Sequence, residues 1–223
     1  MKNNSIRMNI LVIMTGLLCG HGYAQSAGGR PDTFVYKVTA GMNASRFNEN
    51  SDSDFSYGQL DNSFRLGFQF GVTIGFVVNK NLSLETGLGF AGKGSSTELG
   101  GGDREEKTRM SYLEVPFLAR YQFNNTGFNT FAGFQPGYLL SAKAKVEGNV
   151  QDNSSRDVKD NFKSFDAAAV LGVGYRFSNN LRLDASYDFG FVNIVDTDTP
   201  GFGEIRNRSF KISLGYVFGG ANN

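Results

Sequence analysis

Alternation with a period of two runs through nearly the whole of this chain. Within residues 63–78, Phe64, Leu66, Phe68, Phe70, Val72, Ile74, Phe76 and Val78 fall on one face. Ser63, Arg65, Gly67, Gln69, Gly71, Thr73 and Gly75 fall on the other. A strand sends successive side chains to opposite faces, whereas a helix would scatter these residues around its axis. The same sorting recurs seven more times. The first strand carries Phe34, Tyr36, Val38, Ala40 and Met42; the third Leu82, Leu84, Leu88 and Phe90. The fourth carries Leu113, Val115, Phe117, Ala119, Tyr121 and Phe123, and the fifth Phe128, Ala132, Phe134, Tyr138 and Leu140. Phe165 to Phe177 (odd positions), Leu181 to Phe189 (odd) and Phe210 to Phe218 (even) give the last three. No charged residue lies on any of these eight apolar faces.

The connections alternate in length. Residues 79–81, 124–127 and 178–180 are tight, Asn-rich turns. Residues 44–62, 94–108, 142–164 and 195–205 read as long polar loops. Short turns on one side and long loops on the other describe an all-β, eight-stranded, antiparallel up-and-down barrel with both ends of the chain on the turn side. In an outer-membrane barrel the turns face the periplasm and the loops face outward.

Alternation does not by itself say which face is outside. A soluble lipocalin-like barrel would turn its apolar face inward around a ligand. The polar face carries Lys37, Arg65, Glu85, Lys93, Glu114, Arg120, Asp166, Arg176, Arg182, Asp184, Asp188 and Lys211, interleaved with glycine. Seven basic and five acidic groups among small residues suit a narrow interior, whereas eight faces of Phe, Leu and Tyr would overfill it. The apolar face is therefore expected to meet lipid, where a basic residue at mid-depth costs roughly 2–4 kcal/mol. The strands end on Tyr121-x-Phe123, Tyr175-x-Phe177 and Tyr216-x-Phe218, a pattern expected of an aromatic girdle at the periplasmic headgroups.

The twelve polar-face charges are the candidate functional constellation. Buried charge is tolerated when paired, so they are expected to form an ionic plug that shuts the lumen, with a narrow passive porin-like channel as the alternative. Glu114 and Arg120, like Asp184 and Arg182, are near in sequence, but cross-strand partners are left open.

Residues 1–24 place Lys2 and Arg7 before an apolar run and then small residues, as in a cleaved secretory signal. Residues 25–223 are then the barrel domain. Cys19 and His21, the only cysteine and histidine, fall in the signal. The mature chain has no thiol or imidazole for hydrolysis or metal binding, so neither catalysis nor a cofactor is expected. It retains 20 basic against 21 acidic residues, a balance that argues against nucleic acid as a partner.

With the strands placed, the chain resembles the PorT-like outer-membrane β-barrel family. The resemblance rests on Ala40-Gly41-Met42-Asn43-Ala44-Ser45, Tyr112-Leu113-Glu114-Val115-Pro116-Phe117, residues 187–194 and Tyr216-Val217-Phe218. It implies an outer-membrane protein surrounded by outer-membrane lipid, inserted by the barrel-assembly machinery, with a family link to protein secretion. The long loops are expected to contact a protein partner or to serve envelope structure. Two departures concern insertion: residues 219–223 follow the expected terminal aromatic, and Ser213 stands where the assembly signal has glycine.

Three other motifs carry bland readings. The glycines at 87, 89 and 92 before Lys93 imitate a phosphate loop, but they sit in a strand pattern with no helix behind them. Asp196-x-Asp198-x-Pro200-Gly201 only begins like a calcium loop. Pro116 and Pro136 inside strands predict a bulge or a bend.

Overall fold

In the computed structural model, the described residues are 34–50, 62–99, 104–124, 126–148, 155–195 and 204–218. The expected signal, the calcium-like motif and residues 219–223 lie outside them.

The strands are β1 (Phe34–Asn50), β2 (Asn62–Val77), β3 (Leu82–Leu99), β4 (Arg104–Glu114), β5 (Phe117–Gln122), β6 (Phe128–Gly148), β7 (Ser155–Asp157), β8 (Phe165–Arg176), β9 (Leu181–Gly190) and β10 (Glu204–Phe218). Each pairs antiparallel with its neighbour around a ring, and β10 closes back onto β1 from Tyr36↔Phe218 to Asn50↔Glu204. β4 and β5 are one barrel strand interrupted at Val115-Pro116, and both lie between β3 and β6. β7 adds a short rung to β6 outside the ring. Eight strands therefore form the barrel wall.

The apolar faces point outward. Leu66, Phe68, Phe128 and Val173 are each more than 60% exposed. Such a surface is stable against acyl chains and not against water, which rules against the soluble lipocalin-like reading. Register partners on adjacent strands bring aromatic rings together, with Phe70 stacked on Phe90 at 5.1 Å and Phe117 on Phe134 at 5.0 Å.

The turns form as their sequences demand. The Asn79 carboxamide oxygen accepts from the amides of Asn81 and Leu82, both at 2.9 Å. Asn180 takes a left-handed φ of 64°, which Asn tolerates better than most residues. At the other end the strands run further than expected. Residues 44–50, 94–99, 104–108, 142–148 and 204–205 are strand rather than loop. At 17 to 21 residues, β1, β3 and β6 exceed the roughly 9–11 needed to cross a bilayer. Beyond the apolar band both faces of a strand carry polar residues, so hydrogen bonding continues while the alternation that marked it fades.

Pro116 lacks the N–H a ladder needs, and the strand breaks there; the Val115 amide still donates to the Pro136 carbonyl at 2.9 Å. A bulge opposite Ser111 and Tyr112 then turns Ala142 and Ala144 of β6 inward. Gly94 adopts φ +148°, and a Cβ there would meet the Thr108 carbonyl oxygen at 2.0 Å. That irregularity lets the Ser45 hydroxyl donate to the Gly94 carbonyl (3.0 Å) and accept from its amide (2.9 Å).

Candidate functional site

Inward-facing positions near the turns gather Lys37 from β1, Glu85 from β3, Arg120 from β5, and Arg182 and Asp184 from β9. The Arg120 guanidinium is the hub. It grips Glu85 through Nε (2.8 Å) and one terminal nitrogen (3.2 Å). It grips Asp184 through both terminal nitrogens (3.0 and 3.1 Å). It also donates to Asn129 and lies 4.1 Å above the Phe131 ring. Lys37 bridges the same two carboxylates at 3.2 and 3.3 Å, and Arg182 reaches Glu85 at 3.0 Å. Planar forks on carboxylates are the strongest ion-pair geometry available to side chains, and every member here is buried. Val217, the register partner of Lys37, is fully buried.

A second layer lies nearer the loops. Lys93 of β3 pairs with Glu114 of β4 at 2.7 Å and with Asp166 of β8 at 3.7 Å. Lys211 of β10 pairs with Glu114 at 2.8 Å and with Asp188 of β9 at 2.6 Å. The Asn207 amide group donates to Asp166 (2.8 Å) and to the Tyr112 hydroxyl (3.2 Å), while the Lys93 ammonium sits 5.1 Å from the Tyr112 ring centre. The first layer holds three cations against two carboxylates, and the second two cations against three. The surplus charges are opposite. Between the layers lies a cavity of about 110 Å³, lined by Thr39, Gln69, Gln135 and Ser186 as well as by charges from both layers.

Above the second layer the lumen becomes apolar. Phe47, Met110, Tyr112, Leu139, Ala142, Ile194, Val195 and Ile205 form a buried cluster, with Val158 and Phe162 packed against it. Residues 158–163 and 193–195 fold in to complete it. Phe162 bridges Val195, the Lys163 amide donates to Ile194 (2.8 Å), and the Asn193 side chain accepts from Val195 and Ile205.

Ten of the twelve sequence-chosen charges meet in these layers. Arg65 and Arg176 do not, and this corrects their place in the expected network. Arg65 donates to the Lys93 carbonyl at 3.3 Å and Arg176 to the Asn180 side chain at 3.0 Å. Both have lumen-facing parity but sit towards strand ends, where parity no longer means the interior. Glu114 pairs with the two lysines and not with Arg120, and Arg182 with Glu85.

Phe131, Met110, Tyr112 and Leu139 are lumen residues that the expected site lacked. The signal for two of them was present: Tyr138-Leu139-Leu140 and Tyr112-Leu113 are apolar runs that break the alternation. Gly87 and Gly89 lie within β3, and Lys93 is consumed by ion pairs, so the phosphate-loop imitation is backbone wall. Tyr121, Phe123, Tyr175, Phe177, Tyr216 and Phe218 all lie on the outer surface at the turn end. They form three edge-to-face pairs at 5.3, 4.9 and 4.7 Å.

No curated protein matches the chain. Solved structures similar to it include Neisserial surface protein A (14% identity, TM-score 0.49, covering 85% of this chain and 100% of that one). The attachment invasion locus protein Ail of Yersinia pestis, solved with the heparin analogue sucrose octasulfate, is 17% identical with TM-score 0.47, covering 83% and 99%. OprG of Pseudomonas aeruginosa is 14% identical with TM-score 0.44, covering 86% and 98%. Residues 23–196 match the family model described as outer membrane protein beta-barrel domain. Strand ring, outward apolar face and family model agree: the chain belongs to the outer membrane protein beta-barrel domain family and resides in the outer membrane.

Proposed function

We infer that this protein is a closed, non-enzymatic outer-membrane barrel whose work is done by its loop end, facing outward, and not by its lumen. One observation carries this reading: two ion-pair layers and an apolar cluster occupy the lumen in succession. Catalysis would need a reactive group with access to substrate, and the buried charges are engaged with one another. With residues 1–24 removed as a signal, neither histidine nor cysteine would remain. The proposal includes insertion by the barrel-assembly machinery, turns in the periplasm with the three aromatic pairs at the headgroups, and loops that contact a protein partner or support the envelope. The PorT-like motifs add a link to secretion as the first partner class to test, by pull-down from detergent-solubilised membranes.

A narrow passive channel is the second reading, favoured by the cavity between the layers. Liposome swelling separates the two. Proteoliposomes carrying the purified protein should swell in arabinose no faster than empty vesicles; swelling that scales with protein content would overturn the closed reading.

A further inference from the structure

Two arginines are set directly opposite one another on the outside of the barrel. Arg46 of β1 and Arg208 of β10 are register partners. They occupy the outward parity, two register positions beyond Ala44↔Phe210 and four beyond Met42↔Ile212, where the outer surface changes from apolar to polar. Like charges directly opposite across antiparallel strands repel. A neighbouring arginine shows the usual remedy: Arg206, on the next rung, is paired with Glu204 at 2.7 Å. Among the described residues no carboxylate forms an ion pair with Arg46 or Arg208. The two side chains instead turn away from each other, Arg46 over the Phe64 ring (4.9 Å) and Arg208 over the Phe189 ring (5.5 Å). Stacking satisfies a guanidinium face but not its N–H groups, and the buried Arg46 Nε has no acceptor.

We propose that Arg46 and Arg208 form a clamp for the phosphate of a membrane lipid. The chemistry fits in three respects. Each guanidinium offers a planar fork that matches phosphate oxygens, and one phosphate held over the β1–β10 seam would draw both forks off their rings and neutralise both charges. The aromatic rings park the unliganded forks at the rim of the barrel, on either side of that seam. The apolar rungs immediately below give the lipid's acyl chains a surface continuous with the clamp. A related opposition of cations occurs at Arg109↔Lys143 on β4 and β6, but Asp157 lies opposite Lys143 on its other side. Among the described residues the Arg46–Arg208 pair has no such neighbour and is the stronger site. Its assignment to the outer leaflet rests on the orientation proposed above.

The test uses the full mature chain in phosphatidylcholine nanodiscs containing one-tenth phosphatidic acid, which places the lipid in both leaflets. A wrong orientation therefore cannot mimic a missing site. Native mass spectrometry reads the lipids that stay bound on release. Wild-type protein should retain phosphatidic acid and phosphatidylcholine in a ratio about tenfold above that of the bilayer, a preference typical of a charge-assisted contact. The Arg46→Gln/Arg208→Gln variant, which relieves repulsion, should fold and retain the two lipids in proportion to their abundance. Undiminished enrichment in that variant would overturn the clamp. If the double variant does not fold, the single substitutions decide: each should lower the enrichment, and no change in either overturns the proposal. Millimolar inorganic phosphate should compete weakly; complete displacement by phosphate would mean a free-anion site and overturn the assignment to lipid.

Discussion

The two ends of the lumen are closed by different chemistry. Near the turns one arginine holds two carboxylates by two forks at once, and the layer is almost self-sufficient. Near the loops two lysines share three carboxylates as point charges, and Asn207, Tyr112 and an apolar cluster complete the closure. A guanidinium fork fixes angles as well as distances, whereas an ammonium group depends on its surroundings for orientation. The turn-end layer is therefore expected to be rigid by its own geometry, and the loop-end layer to depend on packing above it. The opposite surplus charges add a mutual attraction across the cavity.

The largest expected effect tests the turn-end hub. Arg120→Leu leaves Glu85 and Asp184 buried with fewer partners and should cost about 3–5 kcal/mol of folding free energy, read from urea titration of the folded band on unheated gels. A loss under about 1 kcal/mol would show that the hub is not what holds this layer.

Next is the outer, lipid-facing surface. Val72→Arg, near the middle of the apolar run of β2, should lose about 2–4 kcal/mol in lipid bilayers. Insensitivity to that charge would mean the face does not meet acyl chains.

Lys93→Met sharpens the contrast between layers. Glu114 keeps Lys211 at 2.8 Å, and Asp166, whose contact with Lys93 is long at 3.7 Å, keeps the Asn207 amide group at 2.8 Å, so the expected loss is smaller, about 1–3 kcal/mol. Equal losses for Lys93→Met and Arg120→Leu would erase the distinction drawn between fork and point charge. The smallest effect belongs to Arg176→Gln, outside both layers, which should change stability by no more than about 0.5 kcal/mol. A larger change would place Arg176 in the network after all.

These differences track what was legible in the sequence. Where lipid meets one face and the packed lumen the other, the two faces differ and the alternation is clean, as in residues 64–77 of β2. Above the apolar band the contrast weakens, and the strand continuations to Asn50, Leu99 and Gly148 could not be read. The members of the turn-end layer were legible as a set because charge on the glycine-rich face has few other places to go. Their partners were not, because register across strands depends on turns and bulges that parity does not encode. Arg65 and Arg176 shared the parity but not the depth. The apolar cluster was missed for the complementary reason: it puts Met110 and Leu139 on the face assigned to polar residues, and Ala142 joins them only through the bulge in β6.

Single-channel recording in planar bilayers tests the closed lumen most directly. Purified wild-type protein at neutral pH and 100 mV should show no unitary steps above the bare-membrane baseline. Stable, reproducible steps from the wild-type protein would contradict a lumen shut by its two charged layers and apolar cluster.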